Sequence, residues 1–132
     1  MDFIDIEELV DFNVPESYKN LLRNFPAHFR RICGTQLLYD SLEKVYEANK
    51  IVHAPGFQEH LADELGKWPE FHLVIGESGC GDWYVLVTNL DELEERVVFW
   101  DHEVGNFSET WPTLYNCLDD HYEFAHTEGK SG

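Results

Sequence analysis

Several short clusters carry side chains able to do chemistry. Gly76-x-x-Gly79-x-Gly81 offers permissive backbone of the kind that cradles phosphates. Its spacing fits neither the dinucleotide-binding nor the P-loop pattern, and no Lys-Ser/Thr pair closes it. The stretch from Gly76 to Asp82 therefore reads as a strand-to-strand turn, with Asp82 bracing it through its own backbone. Cys80 lies between glycines, where a thiolate nucleophile needs a base, and His72 or His102 would have to supply it. No recognisable nucleophile signature surrounds Cys80, so a small Cys/His hydrolase ranks third among the readings. Asp101-His102-Glu103 and Asp119-Asp120-His121 hold metal-type donors. Neighbours on a strand point to opposite faces, and no cysteine or histidine spacing of the zinc type is present. These triplets read as a polar turn and a solvated helix face. No catalytic residue, cofactor-binding residue or metal ligand is assigned, and the chain is read as no enzyme.

Charge carries more information. The chain holds 26 acidic and 9 basic residues, for a net charge of -17. Residues 91 to 132 carry 11 acidic against 2 basic side chains, net -9. Binding to DNA or RNA rests on phosphate neutralisation by Lys and Arg, so direct nucleic-acid binding is excluded as a reading. Anionic membrane surfaces are disfavoured on the same ground. A basic protein partner would be steered toward such a field. The residues placed at a partner surface are Asp91, Glu92, Glu94 and Glu95 of an acidic loop, then Asp101, His102 and Glu103. Trp68, beside Pro69, is added as an exposed anchor, since Trp is enriched at binding hot spots. Trp83, Trp100 and Trp111 are assigned to the core between sheet and helices.

These groups need a scaffold, and 132 residues suffice for one domain with a sizeable core. The expectation is a single domain over 1–132, its core about 10–124 and its C-terminal tail frayed. Hydrophobic residues at 43% and aromatic residues at 14% exclude a disordered chain. Cys33, Cys80 and Cys117 form no close pair, which argues against a disulfide framework and for a reducing cytoplasm. Neither a secretory apolar region nor a run of about 20 apolar residues is present.

The pattern predicts a short amphipathic helix over 2–12. A second helix starts at Val14-Pro15-Glu16, with Tyr18, Leu21, Leu22 and Phe25 on one face, and ends before Pro26. Gln36 to Tyr39 reads as a short strand. Asp40 or Ser41 caps a helix bearing Leu42, Val45 and Tyr46. Phe57, Leu61 and Leu65 suggest a further helix stopped by Gly66. Strands follow at Phe71 to Ile75, Trp83 to Thr88 and Val97 to Trp100. Ser108 or Thr110 is expected to cap a closing helix with Trp111, Leu114, Tyr115, Leu118 and Tyr122 on its buried stripe.

The order of these words resembles the SUKH superfamily, the Smi/Knr-type domain. The resemblance rests on Val14-Pro15-Glu16-Ser17-Tyr18-Lys19 opening a helix and Gly79-Cys80-Gly81-Asp82-Trp83-Tyr84 entering a strand. Val98-Phe99-Trp100-Asp101-His102-Glu103 ends another strand, and Phe107-Ser108-Glu109 opens the last helix. It covers roughly residues 10 to 122. Phe25-Pro26-Ala27-His28-Phe29 stands where the family often has a small glycine-rich turn. The resemblance implies an α+β fold, a mostly antiparallel sheet flanked by helices, with Pro15, Tyr18, Gly79, Gly81, Asp82 and Trp100 as structural motif positions. It also implies non-catalytic protein binding. The leading expectation is an immunity protein that neutralises a basic toxin domain, such as a nuclease, and the alternative is a regulatory or scaffold module.

Overall fold

The computed structural model describes residues 1–25, 38–77, 81–88, 96–112 and 116–117. It is an α+β fold. Helix α1 (Phe3–Val10) is started by Asp2 and Asp5, which form a capping box; the Asp2 carboxylate accepts from Phe3 N at 2.7 Å. Phe3, Ile6 and Val10 give it one buried stripe. Helix α2 (Glu16–Arg23) follows Pro15, has an acid in its first turn and a base in its last, and buries Tyr18 and Leu22. Helix α3 (Leu42–Val52) is capped by Ser41, whose hydroxyl accepts from Lys44 N, and buries Val45, Ala48, Asn49 and Val52.

The sheet is an antiparallel meander of four strands in chain order: β1 (His72–Glu77), β2 (Trp83–Val87), β3 (Arg96–Asp101) and β4 (Asn106–Trp111). Leu38 adds an isolated bridge to Gly76 on the outer edge of β1, and Tyr39 N donates to Ile75 O there at 2.9 Å. Leu73, Val74, Ile75, Val85 and Leu86 have no exposed surface, so both faces of β1 and β2 are covered. Tyr84, Phe99 and Trp111 cluster on one face, with Tyr84 5.0 Å from Phe99 and 5.8 Å from Trp111 between ring centroids. Trp100, Phe57 and Trp68 pack together elsewhere in the core, Trp100 lying 5.4 Å from Phe57 and 6.3 Å from Trp68.

The structure departs from the sequence expectations in three elements. The segment expected to open the last helix, Phe107-Ser108-Glu109, lies in β4, where Trp111 pairs with Val97 and Phe107 with Trp100. Tertiary pairing on β3 outweighs the capping signal of Ser108. Asn116 and Cys117 are helical, so any closing helix starts after the strand; Leu114, Tyr115, Leu118 and Tyr122 lie outside the described residues. The helix expected through Leu65 is a 3-10 helix over Pro55–His60, followed by a turn at which Gly66 takes φ +68°. Finally, Gly76 and Glu77 belong to β1 instead of the turn; the irregularity sits one residue earlier, as a bulge between Val74 and Gly76.

Candidate functional site

The β3–β4 connection, Asp101 to Gly105, is held from two sides. Asp82, at the start of β2, receives two hydrogen bonds from His102 on its Oδ1: the backbone N–H at 3.0 Å and ring Nδ1 at 2.5 Å. On the other side Gly105 O accepts from Ala62 N at 2.9 Å, and Asn106 donates from Nδ2 to Glu64 Oε1 at 2.6 Å. Within the turn, Gly105 N donates to Asp101 O and Glu103 N to Asp101 Oδ1, both at 2.9 Å. The result is a fixed polar knob. His102, Glu103 and Val104 are exposed on it, and Asp101 is half-buried. Among the described residues no Lys or Arg pairs with Asp101 or Glu103; the ion pairs made by Lys and Arg join Lys19 and Arg23 to Glu7 and Glu16, and Lys44 to Asp40.

Asp82 reaches across to the neighbouring loop, a contact that the reading of its own turn did not include. Gly81 makes this approach possible: its φ is +98°, and a Cβ there would lie 3.3 Å from His102 Cγ. The hydrogen bond to Asp82 is the main reason the His102 pKa is raised above its ordinary value. Such a group stabilises the fold fully below the ordinary histidine range, and the contribution is lost as pH rises through the elevated value. An NMR titration of His102 should therefore show a pKa above that of a free histidine. Asp82→Asn should bring it down toward the ordinary value, and an unchanged titration would contradict the brace.

Asp82, Asp101 and His102 each present one donor atom, all within 4.8 Å of one another. Glu103, the third member of the sequence triplet, is not in that group. Asp101 and His102 come together although adjacent in sequence, because His102 lies in the turn past the strand end, and Asp82 joins them from 20 residues away. Asp82 Oδ1 already accepts from two His102 donors, so the arrangement works as a hydrogen-bonded brace on the ring. His72, the other candidate base, faces inward. Its ring lies 5.3 Å from that of Phe107, and its Nδ1 donates to Glu70 O at 2.7 Å. Burial pulls its pKa down, which favours a neutral packing group.

Trp68 is not an exposed anchor. It is 7% exposed, donates from Nε1 to His72 O at 3.0 Å, and packs 5.9 Å from Phe57. Chain segments around the 3-10 helix fold over the sheet here, and irregular segments give no periodicity from which burial is read. Of the motif positions, Tyr18 and Trp100 are buried at 2% exposure each. Pro15 sits at the start of α2, and Gly81 and Asp82 form one side of the knob. Gly79, Cys80, and the acidic loop with Asp91, Glu92, Glu94 and Glu95 lie outside the described residues.

Asn49 has a role that its neighbours in sequence do not announce. Its side chain is fully buried on α3; Nδ2 donates to Val74 O at 2.9 Å and Oδ1 accepts from Val74 N at 2.9 Å. It pairs with the edge of β1 as another strand would. A polar residue within the apolar spacing of Val45, Ala48 and Val52 was the available signal. Among the described residues no helix is long and apolar enough to cross a membrane. The family model described as SMI1 / KNR4 family (SUKH-1) matches residues 2–120. No curated protein and no solved structure matches the chain.

Proposed function

The chain belongs to the SMI1/KNR4 (SUKH-1) family, and from that premise we propose that it is a non-catalytic binding protein. Its partner is a basic protein, and the role is that of a cytoplasmic immunity protein covering a toxin domain. One observation carries this reading. Asp101 and Glu103 are fixed on a turn anchored at both flanks, with no Lys or Arg pairing to them among the described residues. The Asp101 carboxylate accepts from Glu103 N, and the anchored turn presents both residues, so little reordering is needed when a cationic surface arrives, which favours association. The net charge of -9 over residues 91 to 132 extends the same field. Asp91, Glu92, Glu94 and Glu95 are proposed to share in that contact, with His102 positioning the turn. Nuclease active sites are cationic because they bind phosphates, and a surface of this sign complements them.

The test is association with a candidate toxin domain across a series of salt concentrations. A rate that falls as salt rises supports the acidic surface, and one indifferent to salt opposes it. Co-expression with the toxin domain separates this role from that of a regulatory scaffold, because only the immunity protein restores growth.

A further inference from the structure

A second feature lies away from the turn. The C-terminal end of α1 and the residue before β1 form a cleft of about 380 Å³ lined by Glu7, Asp11, Phe12, Asn13 and Phe71. That is the small end of the range of ligand clefts, roughly 300–1,000 Å³. Phe12 and Phe71 place their ring centroids 5.7 Å apart at 56°. Glu7 and Asp11 add carboxylates beside the rings. Helix ends of this polarity favour cations, yet the last turn of α1 has no basic residue. Glu7 is partly satisfied: its Oε2 accepts from Val14 N at 2.8 Å and lies 3.7 Å from Lys19 Nζ. Lys19 in turn sits over the Phe3 ring, 5.6 Å from its centroid. Asp11 is exposed, and among the described residues no Lys or Arg reaches it.

The cleft is also held in an uncommon backbone. Asp11 and Phe71 are the non-glycine residues with positive φ among those described, at 63° and 60°, and both line it. For a bulky side chain this conformation is strained, on the order of 1–3 kcal/mol. Phe71 is retained there by Thr88, whose N–H donates to Phe71 O at 2.8 Å.

We propose that this cleft receives one arginine side chain of a protein partner. A guanidinium is flat, permanently charged and stacks on aromatic faces, and here the carboxylates stand next to the rings. This rests on the reading of the chain as a binder of basic proteins, and gives that reading a second anchor distant in sequence from Asp101 and Glu103.

The probe is N-acetyl-arginine-amide, titrated into the full chain and followed by backbone amide NMR. Saturable shifts at Asp11, Phe12 and Phe71 are expected, with N-acetyl-norleucine-amide giving none. Asp11→Asn keeps the left-handed conformation accessible and should weaken binding about three- to tenfold. Phe12→Leu, which keeps the bulk and removes the ring, should do the same. An equal response to norleucine-amide, arginine shifts centred outside the cleft, or unchanged affinity in Asp11→Asn would each overturn the proposal. If toxin association depends on salt while the arginine probe ignores the cleft, this inference fails alone. If the probe fills the cleft while association ignores salt, the acidic-surface reading fails instead.

Discussion

Asn49→Leu should cost the fold about 3–5 kcal/mol, measured as a fall in the denaturant midpoint. Leucine keeps the branched four-atom outline of asparagine but is bulkier, so overpacking adds to the loss. The cost arises on β1. Val74 is fully buried, and the Asn49 amide bonds both its N–H and its carbonyl on that edge. Removing the amide strands both groups away from water, at roughly 1–3 kcal/mol each. Nδ2 also donates to Val45 O at 2.8 Å, so the side chain ties α3 to the sheet through three hydrogen bonds. Native domains are stable by only about 5–15 kcal/mol, so the variant would be near its threshold. A loss below about 1 kcal/mol would show that water or a shifted β1 satisfies Val74.

Gly105→Ala is the second large effect, expected at about 2–4 kcal/mol. Gly105 adopts φ +66°, and an added Cβ would lie 2.6 Å from His60 O, 2.8 Å from Ala62 N and 3.1 Å from Leu61 C. All three are backbone atoms, so no rotamer change relieves the clash. The turn or the 60–62 segment must move, and the Ala62 N to Gly105 O bond lies in the path of that movement. Two other glycines calibrate the result. Gly66 has φ +68° with nothing within 4 Å of its Cβ position, so Gly66→Ala should lose only the left-handed penalty, about 1 kcal/mol. Gly81→Ala meets a His102 ring that can turn away, and should fall between them. Equal losses at all three positions would rule out the docking of the turn on residues 60–62 as the cause. Gly105→Ala should also slow partner association, because it frees the carboxylates that the anchored turn holds in place.

Much of this scaffold was legible in the sequence. Ser41 before Leu42, Pro15 before Glu16, and the apolar spacing of Tyr18 and Leu22 are local signals, and local energetics decided those helices. Val97 to Trp100 and Trp83 to Val87 are β-branched or aromatic almost throughout, and they form β3 and β2. β4 was misread because Ser108 and Glu109 resemble a helix start, while its pairing with β3 is a tertiary fact. Gly105-Asn106 between aromatic runs was the hairpin signal to weigh against them. At the site, Asp101 and His102 were legible as neighbours in sequence. Asp82 was not, since its partner is brought to it by the register of Trp83 with Trp100. Trp68 was misplaced for a related reason: its burial comes from Phe57, Trp100 and Phe107, which no local pattern links to it.

The central claim is that anchored carboxylates on an anionic surface recruit a basic protein. Its most direct test is the association rate of the chain with a cognate toxin domain, measured from roughly 0.05 to 0.5 M salt. The rate should fall about tenfold or more over that range. In an Asp101→Asn, Glu103→Gln double variant the slope should flatten, with the fold unchanged by circular dichroism. A rate that does not respond to salt, or a double variant with the slope of the parent chain, would contradict the account.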